Sequence, residues 1–195
     1  MKKTLLIAFV ALVAILFIGG CGSYNTFVNK DTEVENKWGD LQSTYQRRAD
    51  LIPNLVNTVK GVADFEQNTI REVTEARAKA TSIQINAGDL TPEKLKMFQQ
   101  AQSQLSGALS RLLAVSERYP ELKATQNFSE LQAQLEGTEN RINVARDRYN
   151  DAVSEYNRTI RTFPSNIFAG LLGFQRKAVF EADPGADKAP EVNFE

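Results

Sequence analysis

The chain has 195 residues, with Lys plus Arg at 23 against Asp plus Glu at 24, so it is long enough for one domain with a core and carries no net field to draw nucleic acid. It contains no His and a single Cys. That excludes the commonest general base and transition-metal ligand, any disulfide within the chain and any thiolate cluster.

The first stretch reads as an address rather than as fold. Lys2 and Lys3 form a basic start, Thr4 to Phe17 is an apolar run, and Ile18-Gly19-Gly20-Cys21 follows. An aliphatic residue, two small residues and Cys make the bacterial lipobox pattern, in which the thiol takes a diacylglyceryl group and becomes the mature N-terminus. The only Cys falls where this chemistry needs it, so Cys21 is the candidate lipidation site. An uncleaved transmembrane anchor is the alternative, since Thr4 to Cys21 is near the lower limit of about 18 residues for spanning. An ordinary secretory signal fits less well, because no Ala-x-Ala site is present. All three leave the lysines in the cytoplasm and the remainder outside it.

From Tyr24 an alternation of threes and fours marks helix one: Tyr24, Phe27, Asp31, Val34, Trp38, Leu41, Tyr45, Arg48. Its aromatics are expected in the core, while Asp31 and Arg48 interrupt the stripe, either fixing register or lying where the packing frays. Asp50 and Pro53 together predict a helix end near Ala49 and a new start near Leu51, because Pro is tolerated in a first turn. A kinked helix continuing to Thr81 is the alternative. Helix two then carries Ile52, Leu55, Val56, Val59, Val62, Ile70, Val73, Ala76 and Ala80, with a polar and loosely packed middle from Asp64 to Thr69 around Phe65. Thr91-Pro92-Glu93 is a helix start signal, and helix three runs through Leu95, Phe98, Leu105, Leu109, Leu112 and Val115 to about Arg118. Tyr119-Pro120-Glu121 closes it, and Asn127 or Ser129 is expected to cap helix four.

Helix four has the longest seam: Leu131, Leu135, Thr138, Ile142, Ala145, Tyr149, Ala152, Tyr156, Thr159 and Phe163. Such a stripe of roughly 50 Å must be covered by other helices. Beside it Asn143, Asn150 and Asn157 recur every seven residues. Asn is a mediocre helix former, so the row implies either hydrogen bonding to a neighbouring helix or a partner-binding ladder. The helix stops at Phe163-Pro164-Ser165-Asn166. The apolar, Gly-containing segment to Phe174 is expected either to lie on the lipid surface or to fold back and close the core. In the tail from Gln175, Val192 and Phe194 are candidate docking residues.

The fold class expected is all-α: an antiparallel up-and-down four-helix bundle behind an N-terminal lipoprotein signal or membrane anchor. Residues 1–20 would be the signal or anchor, 21–163 the bundle, and 164–195 the apolar segment and tail. The runs Arg47–Gly61, Arg111–Val115, Tyr119–Ala124, Gly137–Ile142, Tyr149–Val153 and Phe163–Asn166 resemble the LemA family of bacterial envelope proteins over nearly the whole mature chain. The resemblance implies a membrane-anchored helical bundle and no catalytic residues. Members usually begin with a plain transmembrane helix, from which the lipobox here departs. Neither a cofactor nor a metal is expected. The carboxylates Glu72 and Glu75 sit within one turn, as acid–base pairs do, but on a face the period assigns to solvent. The function expected is a non-enzymatic interaction or scaffold protein held at the extracytoplasmic side of the membrane by Cys21, with an envelope protein as partner. A small-molecule or peptide-binding bundle is the alternative.

Overall fold

A computed structural model describes the backbone of residues 2–61 and 66–181, and their side chains except at 2, 4, 5 and 8–19. The described residues hold six helices and no strand: α1 (Lys2–Lys60), α2 (Gln67–Ser82), α3 (Pro92–Ser116), α4 (Pro120–Lys123), α5 (Gln126–Arg161) and α6 (Ser165–Leu172). Val62, Phe65, Val192 and Phe194 lie outside them.

The expected break at Asp50–Pro53 is absent. α1 runs through Pro53 as one helix of 59 residues ending at Lys60, and α2 begins at Gln67. Two facts allow it. Pro53 cannot donate to the carbonyl of Ala49, one turn back, and Arg77 Nε of α2 donates to that oxygen at 2.7 Å. Asp50, read as a cap, instead accepts from Gln46 Nε2 at 2.7 Å. The orphaned carbonyl gives a test. Arg77→Ala should cost about 1–2 kcal/mol, and less in a Pro53→Ala background, where the restored N–H reclaims Ala49 O. A double-mutant cycle from urea unfolding measures the difference.

α1 and α5 run antiparallel, as Lys30 with Glu155 at 3.0 Å and Arg48 with Glu139 at 2.7 Å establish. From Tyr24 to Lys60 α1 spans about 55 Å, and α5 about the same, so each covers the other's seam. α2 and α3 are likewise antiparallel: Lys79 donates to Gln104 at 2.9 Å, Arg111 to Glu72 at 3.1 Å and Arg118 to Glu66 at 2.5 Å. Thr91 caps α3 as expected, accepting from Lys94 N at 3.3 Å. At the start of α5 neither Asn127 nor Ser129 caps; Thr125 holds that position without a side-chain capping bond, its Oγ1 donating back to Leu122 O at 2.7 Å, and Ser129 Oγ turns back to Thr125 O and Lys123 O.

The core has two parts. Trp38, Tyr45, Phe98, Tyr149, Tyr156 and Phe180 centre one, and Ile52, Leu55, Val73, Leu105, Leu112 and Phe128 centre the other. The single Trp is buried, and its Nε1 donates to Ile85 O at 3.0 Å in the α2–α3 loop. Tyr24 differs from its aromatic neighbours on the stripe in being exposed. Along α5 the buried stripe follows the expected seam from Leu135 to Tyr156 and then moves to Ile160, leaving Phe163 exposed.

The tail supplies one wall of the first core. After Gly173, at φ 79°, which suits the left-handed C-terminal cap of α6, residues 175–181 form an extended strap along α5. Asn157 Oδ1 accepts from Lys177 N at 2.9 Å while its Nδ2 donates to Lys177 O at 2.9 Å. Asn150 does the same to Phe180, at 2.8 and 3.3 Å. Two members of the Asn row therefore bind a strap, not a neighbouring helix. Asp31 also finds its purpose here, as the ion-pair partner of Lys177.

Candidate functional site

Two places combine unusual chemistry with access from outside, and the first surrounds Cys21. This residue is exposed and unbonded on α1. Beside it an apolar groove of about 480 Å³ is bordered by Gly20, Tyr24, Phe168, Leu171 and Leu172. α6 lies close to α1 here: a Cβ at Gly20 would stand in ordinary contact, 3.4 Å from the Phe168 ring.

α6 has two apolar faces. Ala169 is buried, and Phe174 just beyond the helix meets Phe27 edge-on, with ring centroids 5.1 Å apart. That face closes the end of the core, as one of the two expectations for this segment had it. The other face has no cover among the described residues: Ile167 is 53% and Leu171 80% exposed, with Phe163 at 76% just before the helix. Ile167 and Leu171 are four apart and make one stripe. Among the described residues no helix is long and apolar enough to cross a membrane; most side chains of the run from Thr4 to Ile18 lie outside that description.

The second place is a polar groove of about 620 Å³ between α1, α3 and α5. At its base is Arg48, only 2% exposed. Its Nη1 donates to Ser106 Oγ and Glu139 Oε2, each at 2.7 Å, and its Nη2 to Gln102 Oε1 at 2.7 Å. The guanidinium lies 5.3 Å from the Tyr45 ring centroid, and its Nε finds no hydrogen-bond acceptor among the described residues. A buried cation needs such partners, because desolvation otherwise disfavours it strongly. Of the two accounts of Arg48, register is supported and fraying is not. Gln102, Ser106 and Glu139 were not singled out from the sequence; the signal was a charge on a seam position, which demands an acceptor from a facing helix. Asn143 and Arg146 form the outer rim, with Arg146 Nη2 donating to Asn143 Oδ1 at 3.3 Å.

The carboxylates considered for acid–base work are surface groups. Glu72 accepts from Arg111, and Glu75 lies 3.8 Å from Arg71, all four well exposed, where such pairs contribute little. Tyr156, by contrast, is pushed up to about 12 by burial and by the nearby Asp31 carboxylate, and burial raises Tyr149 further. Both phenols stay protonated and donate to the strap, Tyr149 to Ala178 O and Tyr156 to Gln175 O, each at 2.9 Å.

Comparison with known proteins adds a family. The model for the LemA family matches residues 37–194. Magnetosome protein MamQ 2 of Paramagnetospirillum magneticum is 29% identical over 199 residues, covering 91% of this chain and 70% of that protein. Protein LemA of Metamycoplasma hominis is 24% identical over 181 residues, covering 93% and 79%. Magnetosome protein MamQ of Magnetospirillum gryphiswaldense is 25% identical over 185 residues, covering 84% and 66%.

Proposed function

The chain belongs to the LemA family, and from that premise we propose that it is a membrane-anchored, non-enzymatic interaction or scaffold module of the bacterial cell envelope. Its helices stand on the extracytoplasmic side as an up-and-down four-helix bundle of α1, α2, α3 and α5. The observation that carries this is the collar around Cys21. The apolar run from Thr4 to Phe17 belongs to the first turns of α1 and ends four residues before Cys21, and the uncovered face of α6 emerges beside the same residue. An anchor and an exposed apolar helix face at one end of the molecule match what an interfacial segment needs, its side chains seated at the headgroup boundary. Two acyl chains on Cys21 would hold stably where one would not.

Metabolic labelling with a tagged fatty acid tests the anchor. Label is expected on the wild type and absent from Cys21→Ala; label persisting in that variant, or missing from both, leaves the transmembrane anchor, which the unbroken helix from Lys2 favours. A fluorophore at Leu171 tests the collar separately. Its emission should shift to the blue when the chain is reconstituted in vesicles, and indifference to lipid would remove α6 from the membrane surface.

The polar groove at Arg48 favours a second reading, a small-molecule or peptide-binding bundle. Titration of the full chain with candidate ligands against an Arg146→Ala, Asn143→Ala variant would separate it from a pure scaffold.

A further inference from the structure

The polar groove over Arg48 holds about 620 Å³, a volume within the range of small-molecule sites. Two polar stripes face each other across it, Gln99, Ser103 and Ser106 on α3 and Glu139, Asn143 and Arg146 on α5. Each stripe advances by four and then three residues, so each lies on one helix face. Glu139 neutralises Arg48 through its Oε2. Arg146 is half-buried and meets no carboxylate among the described residues, its one bond going to the Asn143 amide. The groove therefore carries one positive charge in excess, and a partly desolvated cation without an anion is costly to keep.

The unused hydrogen-bonding groups place the parts of a ligand. Arg146 gives Nη2 to Asn143 Oδ1 at 3.3 Å, which leaves its other N–H groups and Asn143 Nδ2 without acceptors among the described residues. Donors beside a cation match a carboxylate, whose two oxygens accept from a guanidinium fork. Deeper in the groove the character changes. Ser106 Oγ accepts from Arg48, so its O–H is left to donate. Glu139 receives the same Arg48 nitrogen on Oε2, so its Oε1 is left to accept. A ligand hydroxyl, both donor and acceptor, satisfies that pair. Gln99 Oε1 is a further acceptor, since its Nε2 donates to Glu181 O at 2.9 Å. Arg146 and Glu139 stand two turns apart, about 10.5 Å along α5, a span that one small molecule bridges.

Resting on the small-molecule reading of this groove, we infer that it binds a small polyhydroxylated monocarboxylate. Arg146 and Asn143 hold the carboxylate, and Glu139, Ser106 and Gln99 take the hydroxyls. One negative charge balances the groove. A second, as on a phosphate, meets the free oxygen of Glu139 and is repelled.

Isothermal titration calorimetry on the full chain in detergent tests this with two matched probes, gluconate and its neutral counterpart sorbitol. Gluconate should bind saturably and about tenfold more tightly than sorbitol, as one charge-assisted contact allows. Arg146→Gln should weaken gluconate about tenfold, while Arg141→Gln, exposed on the same helix, should leave it unchanged. Circular dichroism verifies that both variants keep the wild-type melt. Equal affinity for the two probes, or no effect of Arg146→Gln, would overturn the carboxylate and leave a groove for neutral ligands. Tighter binding of inorganic phosphate would overturn it in favour of a phosphate. Saturable binding of none of the three would overturn it together with the small-molecule reading, and the scaffold reading would stand.

Discussion

Arg48→Ala should lower the unfolding free energy by about 3–5 kcal/mol, the range for losing a large buried side chain together with its charge network. The change removes a side chain that is 2% exposed, leaving a cavity, and orphans Gln102 Oε1 and Ser106 Oγ inside the helix array. Arg48→Met keeps much of the volume and the contact with Tyr45 while removing the cation. It should cost less than half as much, since an apolar residue of similar size often replaces a buried ion well. Glu139 stands 46% exposed on its side chain, so water can solvate it once Arg48 is gone. Thermal unfolding of the full chain in detergent, followed by helical circular dichroism, measures both variants. Equal losses in the two would mean that the charge itself, not the filled space, holds α1 against α3 and α5.

A still larger effect is expected from Tyr149→Asp, which should abolish cooperative unfolding at neutral pH. Tyr149 is fully buried, its ring 5.6 Å from Trp38 and 5.5 Å from Phe180, centroid to centroid. A carboxylate there exchanges aromatic packing for an unpaired buried charge, a cost of several kcal/mol against a total stability of about 5–15 kcal/mol. It also removes the donor to Ala178 O, so the strap loses a bond on the same rung as Asn150. Asp147→Ala, two residues away and exposed, should change stability by only about 0.5 kcal/mol or less. A well-folded Tyr149→Asp, judged by the same melt, would remove the residue from the core.

Residues on one face of a helix are legible because the period of 3.6 depends only on the local chain. That is why the seam from Leu135 to Tyr156, the Thr91 cap and the burial of Trp38 could be read from the sequence. The break at Pro53 could not. Whether a helix survives a proline depends on what satisfies the freed carbonyl, and Arg77 comes from a different helix. The same holds for Arg48, whose partners are 54, 58 and 91 residues away.

The sequence by itself determined the all-helical class, the seams and the lone Cys21 behind an apolar run. It also displayed the seven-residue Asn row, though not what the row binds. Only the tertiary structure decided that α1 continues to Lys60, that α6 turns one apolar face inward and leaves the other uncovered beside Cys21, and that Asn150 and Asn157 take the backbone of the tail. Local periodicity is a property of neighbours along the chain. Partner choice is not, because it is settled by which distant backbone or side chain can complete a buried hydrogen bond once the helices have packed.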